Sequence, residues 1–140
     1  MRVFYDSNVI LDVLLNRTEF LADSLAALKL SENKKVKGYI SVVSITDIFY
    51  LVKKNLKDTE ASIEKIKTLL KIVSVSKANE KIAKKALNCN WDDFEDAVQY
   101  SVAKNSRCKC IVTRNKKDFK MSDIPVYTPS EFLGFFSLTF

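Results

Sequence analysis

Apolar residues recur in this chain in two rhythms, short β-branched runs and longer stretches with helical spacing, and the alternation between them predicts the elements. Arg2 to Tyr5 reads as a first strand ended by Asp6. Ser7 or Asn8 can cap a following helix that carries Ile10, Val13 and Leu14 on one face. Phe20, Leu21, Leu25, Leu28 and Leu30 mark a second helix, which runs into the basic segment Lys34-Lys35-Val36-Lys37. Gly38 fits its stop, and Tyr39-Ile40-Ser41 is a short strand. Val42 to Leu56 is the third helix, with Ile45, Ile48, Phe49, Val52 and Leu56 in one stripe. Val43, Tyr50 and Leu51 lie on its other side, so the pattern predicts burial on two faces, interrupted by Asp47.

In the second half, Asp58-Thr59 starts a helix through Leu70, with Ile63, Ile66, Leu69 and Leu70 inward. Ile72 to Val75 is a strand and Ala78 to Leu87 a basic helix. Another helix opens at Trp91-Asp92-Asp93-Phe94-Glu95-Asp96, where Asp92 as N-cap with Glu95 three residues on makes a capping box. Phe94, Ala97, Val98, Ser101 and Val102 form its inner stripe, with Asp93, Asp96 and Tyr100 on the neighbouring face. Lys109 to Thr113 and Pro125 to Tyr127 are strands. Thr128-Pro129-Ser130-Glu131 is a helix start with a Thr cap, Pro at the first position and Glu at the third. Trp91 and the closing aromatics through Phe140 read as core, and any exposed part of that tail as a contact surface. Strands alternating with helices predict a parallel α/β sheet in a single domain over residues 1–140.

Composition narrows the chemistry. The 140 residues include no His, which excludes His-based acid–base catalysis, Ser-His-Asp triads and His-ligated zinc. Cys89, Cys108 and Cys110 have the spacing of neither a disulfide framework nor a zinc knuckle, and read as buried, reduced thiols of a cytosolic protein. No apolar run reaches the roughly 18 residues of a membrane span, and the N-terminus enters a strand directly, without a secretory segment. The net charge of +6 favours a polyanionic partner.

Five acids sit where packing alone does not ask for them: Asp6 after a strand, Asp47 in an apolar helix turn, Asp93 and Asp96 at a helix start, and Asp118 shortly after the Cys110–Thr113 run. In an open parallel sheet, chemistry gathers beyond the carboxyl ends of strands. Two carboxylates ~4 Å apart repel by about 4 kcal/mol at an effective dielectric near 20. A divalent cation relieves such a cluster, and all-oxygen ligands suit Mg²⁺ or Mn²⁺.

The motifs then resemble those of the PIN domain family, the small nuclease fold found in many toxin–antitoxin pairs. Asp6-Ser7-Asn8-Val9-Ile10-Leu11 resembles the family's opening motif, and Ser44-Ile45-Thr46-Asp47 the third-helix motif, with Asp in place of the usual Glu. Asp96-Ala97 and the helix that follows resemble the third acidic motif, with Asp93 as an auxiliary acid. Thr113-Arg114-Asn115-Lys116-Lys117-Asp118-Phe119 is similar to the fourth, and Thr128-Pro129-Ser130-Glu131-Phe132 to the closing helix. Asn115 stands where many members carry the acid, which moves that role to Asp118 and leaves Asn115 as a neutral ligand or orienter.

The resemblance implies a three-layer α/β/α fold around a central, mostly parallel sheet of four to five strands. It implies a cytoplasmic Mg²⁺- or Mn²⁺-dependent endoribonuclease, a VapC-like toxin, with Asp6, Asp47, Asp96 and Asp118 holding metal and positioning the attacking water. Thr113 and Asn8 would orient these groups, and Arg114, Lys116 and Lys117 would meet the RNA backbone. The implied partners are RNA, an antitoxin and a second copy of the chain. The alternative is a catalytically weak PIN-fold module that binds RNA or a protein. A phosphoryl-accepting pocket is disfavoured by the single Asp at the end of the opening strand.

Overall fold

The computed structural model describes residues 1–139. A five-stranded, all-parallel sheet forms in the order β3-β2-β1-β4-β5. Its strands are β1 (Arg2–Tyr5), β2 (Lys37–Ser41), β3 (Val73–Ser76), β4 (Cys110–Val112) and β5 (Val126–Tyr127). The helices are α1 (Ser7–Leu14), α2 (Thr18–Glu32), α3 (Val42–Leu56), α4 (Thr59–Ile72), α5 (Glu80–Leu87), α6 (Phe94–Asn105) and α7 (Pro129–Thr139). A short 3₁₀ helix, Lys116–Phe119, follows β4. Phe140 lies outside the described residues.

Alternation along the strands builds the three layers, because successive side chains point to opposite faces. Val3, Tyr5, Ile40, Cys110 and Val112 face a core shared with α1, α2, α3, α4 and α7. Phe4, Tyr39 and Ile111 face a second core closed by α5, α6 and Phe119. Phe132 is fully buried, with Phe135 and Phe136 packed beside it, while Trp91 stacks on Tyr100 at 4.7 Å. The start of α7 forms the expected reciprocal cap: Glu131 N–H donates to Thr128 Oγ1 (3.2 Å) and Thr128 N–H to Glu131 Oε1 (3.0 Å).

Several local expectations are corrected. Asp6 itself, not Ser7 or Asn8, caps α1. Gly38 lies inside β2 rather than stopping α2, since a Cβ there would overlap Ser31 Oγ and come within 2.7 Å of the Tyr5 ring. The second face of α3 is open: Val43 is 39% and Tyr50 63% exposed, and Asp47 faces solvent. Leu51 packs against the core, while Val43 and Tyr50 are surface. In α4, Ser62 takes the inward position beside Ile66 and Leu69, donating its hydroxyl to the Asp58 carbonyl, so Ile63 and Leu70 rotate outward. At the start of α6 the cap is Asp93, not Asp92, and Phe94 is half exposed rather than part of the inner stripe.

Candidate active site

The parallel order sets β1 beside β4, and their carboxyl ends converge. Asp6 N–H donates to the Val112 carbonyl at 2.9 Å, so the residue that ends β1 meets the turn that ends β4. The Asp6 carboxylate is held on both oxygens: Oδ1 accepts from Ser7 N–H (2.8 Å), and Oδ2 accepts from Thr113 Oγ1–H (2.8 Å) and Asn8 Nδ2 (3.2 Å). Thr113, fully buried, also accepts at Oγ1 from the Asn115 N–H at 3.0 Å. Asn8 Oδ1 receives the Arg114 N–H at 3.3 Å. Thr113 and Asn8 thus tie the first acid to the last turn.

Asp96 enters from α6. The Asp93 cap accepts its backbone N–H at 3.0 Å, which fixes the first helical turn. Burial, then the nearby charges of Asp118, Asp93, Asp6 and Glu95, push the Asp96 carboxyl up to about 7. Burial raises Asp6 as well, with Asp118 adding to the rise and the Thr113 hydrogen bond opposing it. Asp6, Asp96 and Asp118 therefore come from three separate elements into one negative field. Asp93, Asp96, Lys117 and Asp118 line an open pocket of about 400 Å³ with Trp91 and Met121 on its wall.

Asp47 joins this field at its edge, through Glu95. Burial and then the Asp47 charge raise the Glu95 carboxyl, with Asp93 and Asp6 contributing. The capping box predicted at Asp92 makes Glu95 its partner; with the cap at Asp93 instead, Glu95 is released to the acid cluster. Asn115 is an exposed turn residue whose carbonyl accepts the Asp118 N–H at 3.0 Å, so its backbone positions Asp118.

The donor set suits a hard divalent cation. Among the described residues no three acidic or thiol side chains stand close enough to enclose an ion. Mg²⁺ needs no such cage, since it binds through one or two carboxylates and keeps waters that substrate oxygens replace. The raised Asp96 and Asp6 carboxyls mark a place where added positive charge is favourable.

The basic residues of the last turn divide. Arg114 Nε donates to Asp12 Oδ2 at 2.7 Å and its guanidinium lies 3.8 Å from the Phe20 ring centroid, which commits most of it to the fold. Lys116 pairs with Glu131 at 3.1 Å, and Lys117 stands on the acid pocket. Asp12 is fully buried in α1 and also receives Ser24 Oγ–H at 2.8 Å. Sequence reasoning passed over it, although an acid inside Val9-Ile10-Leu11-Asp12-Val13-Leu14-Leu15 was the available signal.

A parallel sheet with helices on both faces and carboxylates gathered beyond the ends of its central strands defines a small α/β domain with an acidic site at the strand ends. The PIN domain family matches residues 2–117, and the chain belongs to that family. It is 32% identical over 134 residues to Ribonuclease VapC1 of Aquifex aeolicus, covering 94% of this chain and 92% of the relative. In fold it is similar to VapBC2 from Rickettsia felis bound to a promoter DNA fragment, with a TM-score of 0.68 at 16% identity over 90% of this chain and 97% of that one. DNA-bound VapBC from Salmonella typhimurium gives a TM-score of 0.67 at 16% identity, covering 92% and 98% of the two chains.

Proposed function

We propose that this protein is a metal-dependent endoribonuclease, the toxin of a toxin–antitoxin pair, acting on RNA in the cytoplasm. The observation that carries the reading is the convergence of Asp6, Asp96 and Asp118, where burial first and then the neighbouring carboxylate charges lift the Asp96 carboxyl to about 7. The kinship with Ribonuclease VapC1 supports the same activity. A bound Mg²⁺ or Mn²⁺ supplies an activated water and neutralises charge developing on the phosphate oxygens.

The chain's own residues do the rest. Asp6 and Asp96 hold the cation, with Asp118, Asp47, Glu95 and Asp93 adding negative charge around it. Thr113 and Asn8 fix the Asp6 carboxylate so that it does not turn toward solvent. Lys117 offers the backbone phosphate a positive contact at the pocket wall. The open face of α3, with Val42, Val43 and Tyr50, supplies surface for a second copy or an antitoxin.

The test is cleavage of a labelled structured RNA by purified protein with Mn²⁺, compared with the Asp6→Asn/Asp96→Asn double variant. Cleavage is lost in the variant while its circular dichroism is unchanged. Cleavage that survives both substitutions overturns the assignment. The exposure of Asp47 and Asp118 favours one rival, a module that binds RNA without turnover. Calorimetric titration separates the two, because the rival binds RNA but takes up no Mn²⁺ at millimolar concentration.

A further inference from the structure

A group of cations lies at the end of the sheet opposite the acids. Arg2 and Lys37 are direct register partners at the starts of β1 and β2. Lys109 precedes Cys110, the partner of Val3, and donates its N–H to the Arg2 carbonyl at 2.8 Å. Lys37, Arg2 and Lys109 therefore form a row across three adjacent strands, about 4.8 Å from one to the next and on one face. The face is that of Tyr39, whose ring centroid lies 5.7 Å from the Arg2 guanidinium and 5.6 Å from Lys37 Nζ.

All three side chains are exposed, and none joins a carboxylate among the described residues. Like charges facing one another across strands destabilise a sheet. Around the same strand ends, Lys34, Lys35 and Lys71 line an open pocket of about 400 Å³ together with Lys37, and Glu32 is the acid on its rim. The sequence run Lys34-Lys35-Val36-Lys37 is the origin of this concentration.

We propose that the row Lys37–Arg2–Lys109, with Lys34, Lys35 and Lys71 beside it, is a second nucleic-acid surface that takes the phosphodiester backbone. Regularly spaced cations without a carboxylate partner match a polyanion, the Arg2 guanidinium being steadied by the Ser106 carbonyl at 3.0 Å, and counterion release on contact drives the binding. A lipid surface fits less well: none of the large exposed apolar side chains lies on the leading residues of β1, β2 or β4. The strands separate this surface from the acid pocket, so an RNA reaching both must be structured or long. The inference concerns binding alone and stands whether or not the acid pocket cleaves.

The experiment measures fluorescence anisotropy of the full chain with a labelled RNA hairpin and, separately, a DNA duplex of equal length. EDTA keeps both intact, and salt is raised from about 50 to 200 mM. The Lys37→Gln/Lys109→Gln variant is compared with Lys67→Gln/Lys81→Gln, which removes the same charge from the exposed sides of α4 and α5. The row variant binds several-fold more weakly, and its plot of log affinity against log salt flattens by roughly 0.7 to 0.9 per lost phosphate contact. The helix variant keeps most of the wild-type affinity and slope. Whichever nucleic acid shows the larger flattening is the one the surface favours. Equal losses in both variants, an unchanged slope in the row variant, or binding to phosphatidylserine vesicles without binding to either nucleic acid overturns the proposal. Lys109→Gln alone serves as a second variant, and melting curves confirm that each protein is folded.

Discussion

Asp12 and Arg114 meet inside the protein across 102 residues of chain, Nε to Oδ2 at 2.7 Å, with the carboxylate fully buried. The pair joins α1 to the turn that leaves β4, one residue past the threonine that holds Asp6. Removing Asp12 leaves the largely buried Arg114 guanidinium without its carboxylate, which typically costs about 3–5 kcal/mol, whereas removing Arg114 leaves Asp12 with Arg17 at 3.5 Å and Ser24 and costs less. Arg114→Ala and Asp12→Ala are each expected to lower the urea midpoint accordingly. Arg114→Lys restores little, because a point charge does not reproduce the guanidinium's contact with Phe20. A midpoint that stays at the wild-type value in Arg114→Ala assigns the pair no structural role.

Thr113 has a separate task. Its hydroxyl donates to Asp6 Oδ2 at 2.8 Å. Thr113→Val keeps the shape of a buried strand end and deletes the donor, at about 1 kcal/mol of stability. The same change moves the Asp6 carboxyl further up, since this hydrogen bond holds it down. The pH dependence of Mn²⁺ binding should therefore shift to higher pH in Thr113→Val and return in Thr113→Ser. A valine variant with the wild-type pH profile would show that Thr113 does not act through Asp6.

Asp96 makes the metal-free protein sensitive to pH. Its carboxyl rises from an ordinary 3.8 to about 7 on folding. Between those values the folded chain keeps a proton that the unfolded chain has released, so stability falls as pH rises through that window. Below it both states are protonated and the penalty vanishes. Asp6 and Glu95 are raised too and act in the same direction. In EDTA the melting temperature should be higher near about pH 5 than near about pH 8 from these groups, and Asp96→Asn should flatten the difference. Mn²⁺ should stabilise more at the higher pH, where the carboxylates are free to bind it. An Asp96→Asn protein that keeps the full pH slope removes Asp96 as its source.

Gly38 is held by contact rather than by backbone conformation. A Cβ would overlap Ser31 Oγ and press on Tyr5, whose hydroxyl is tied to Ser31 at 2.8 Å and to the Ala27 carbonyl at 2.9 Å. Gly38→Ala is expected to cost about 1–3 kcal/mol by overpacking. Adding Ser31→Ala recovers part of this loss if the clash is its origin, which a double-mutant cycle measures.

Strands and helices were legible because local signals agreed with the tertiary result. Arg2–Tyr5 and Val42–Leu56 match the sequence reading, and the Thr128–Glu131 box sits where its residues place it. The parallel arrangement then brings Asp6 to the turn after β4. Which helix face is covered was less legible. Val43 and Tyr50 are apolar at buried spacing, yet no element among the described residues lies over them, and periodicity cannot report a missing neighbour. The burial of Asp12 is not legible locally because its shortest ion pair is with Arg114, far away in sequence, beside the longer one with Arg17. Glu95 was misassigned because Asp92 and Asp93 are both competent caps, and only the backbone decides between them.

The placement of β1 between β2 and β4 also governs timing. Asp6 is made early relative to its partner, because the hydroxyl that orients it belongs to a residue 107 positions later. A nascent chain that has already folded α1 through α6 still has an unfinished pocket, without Thr113 or Asp118. A pocket assembled this way stays without its orienting hydroxyl until the segment that follows β4 is in place.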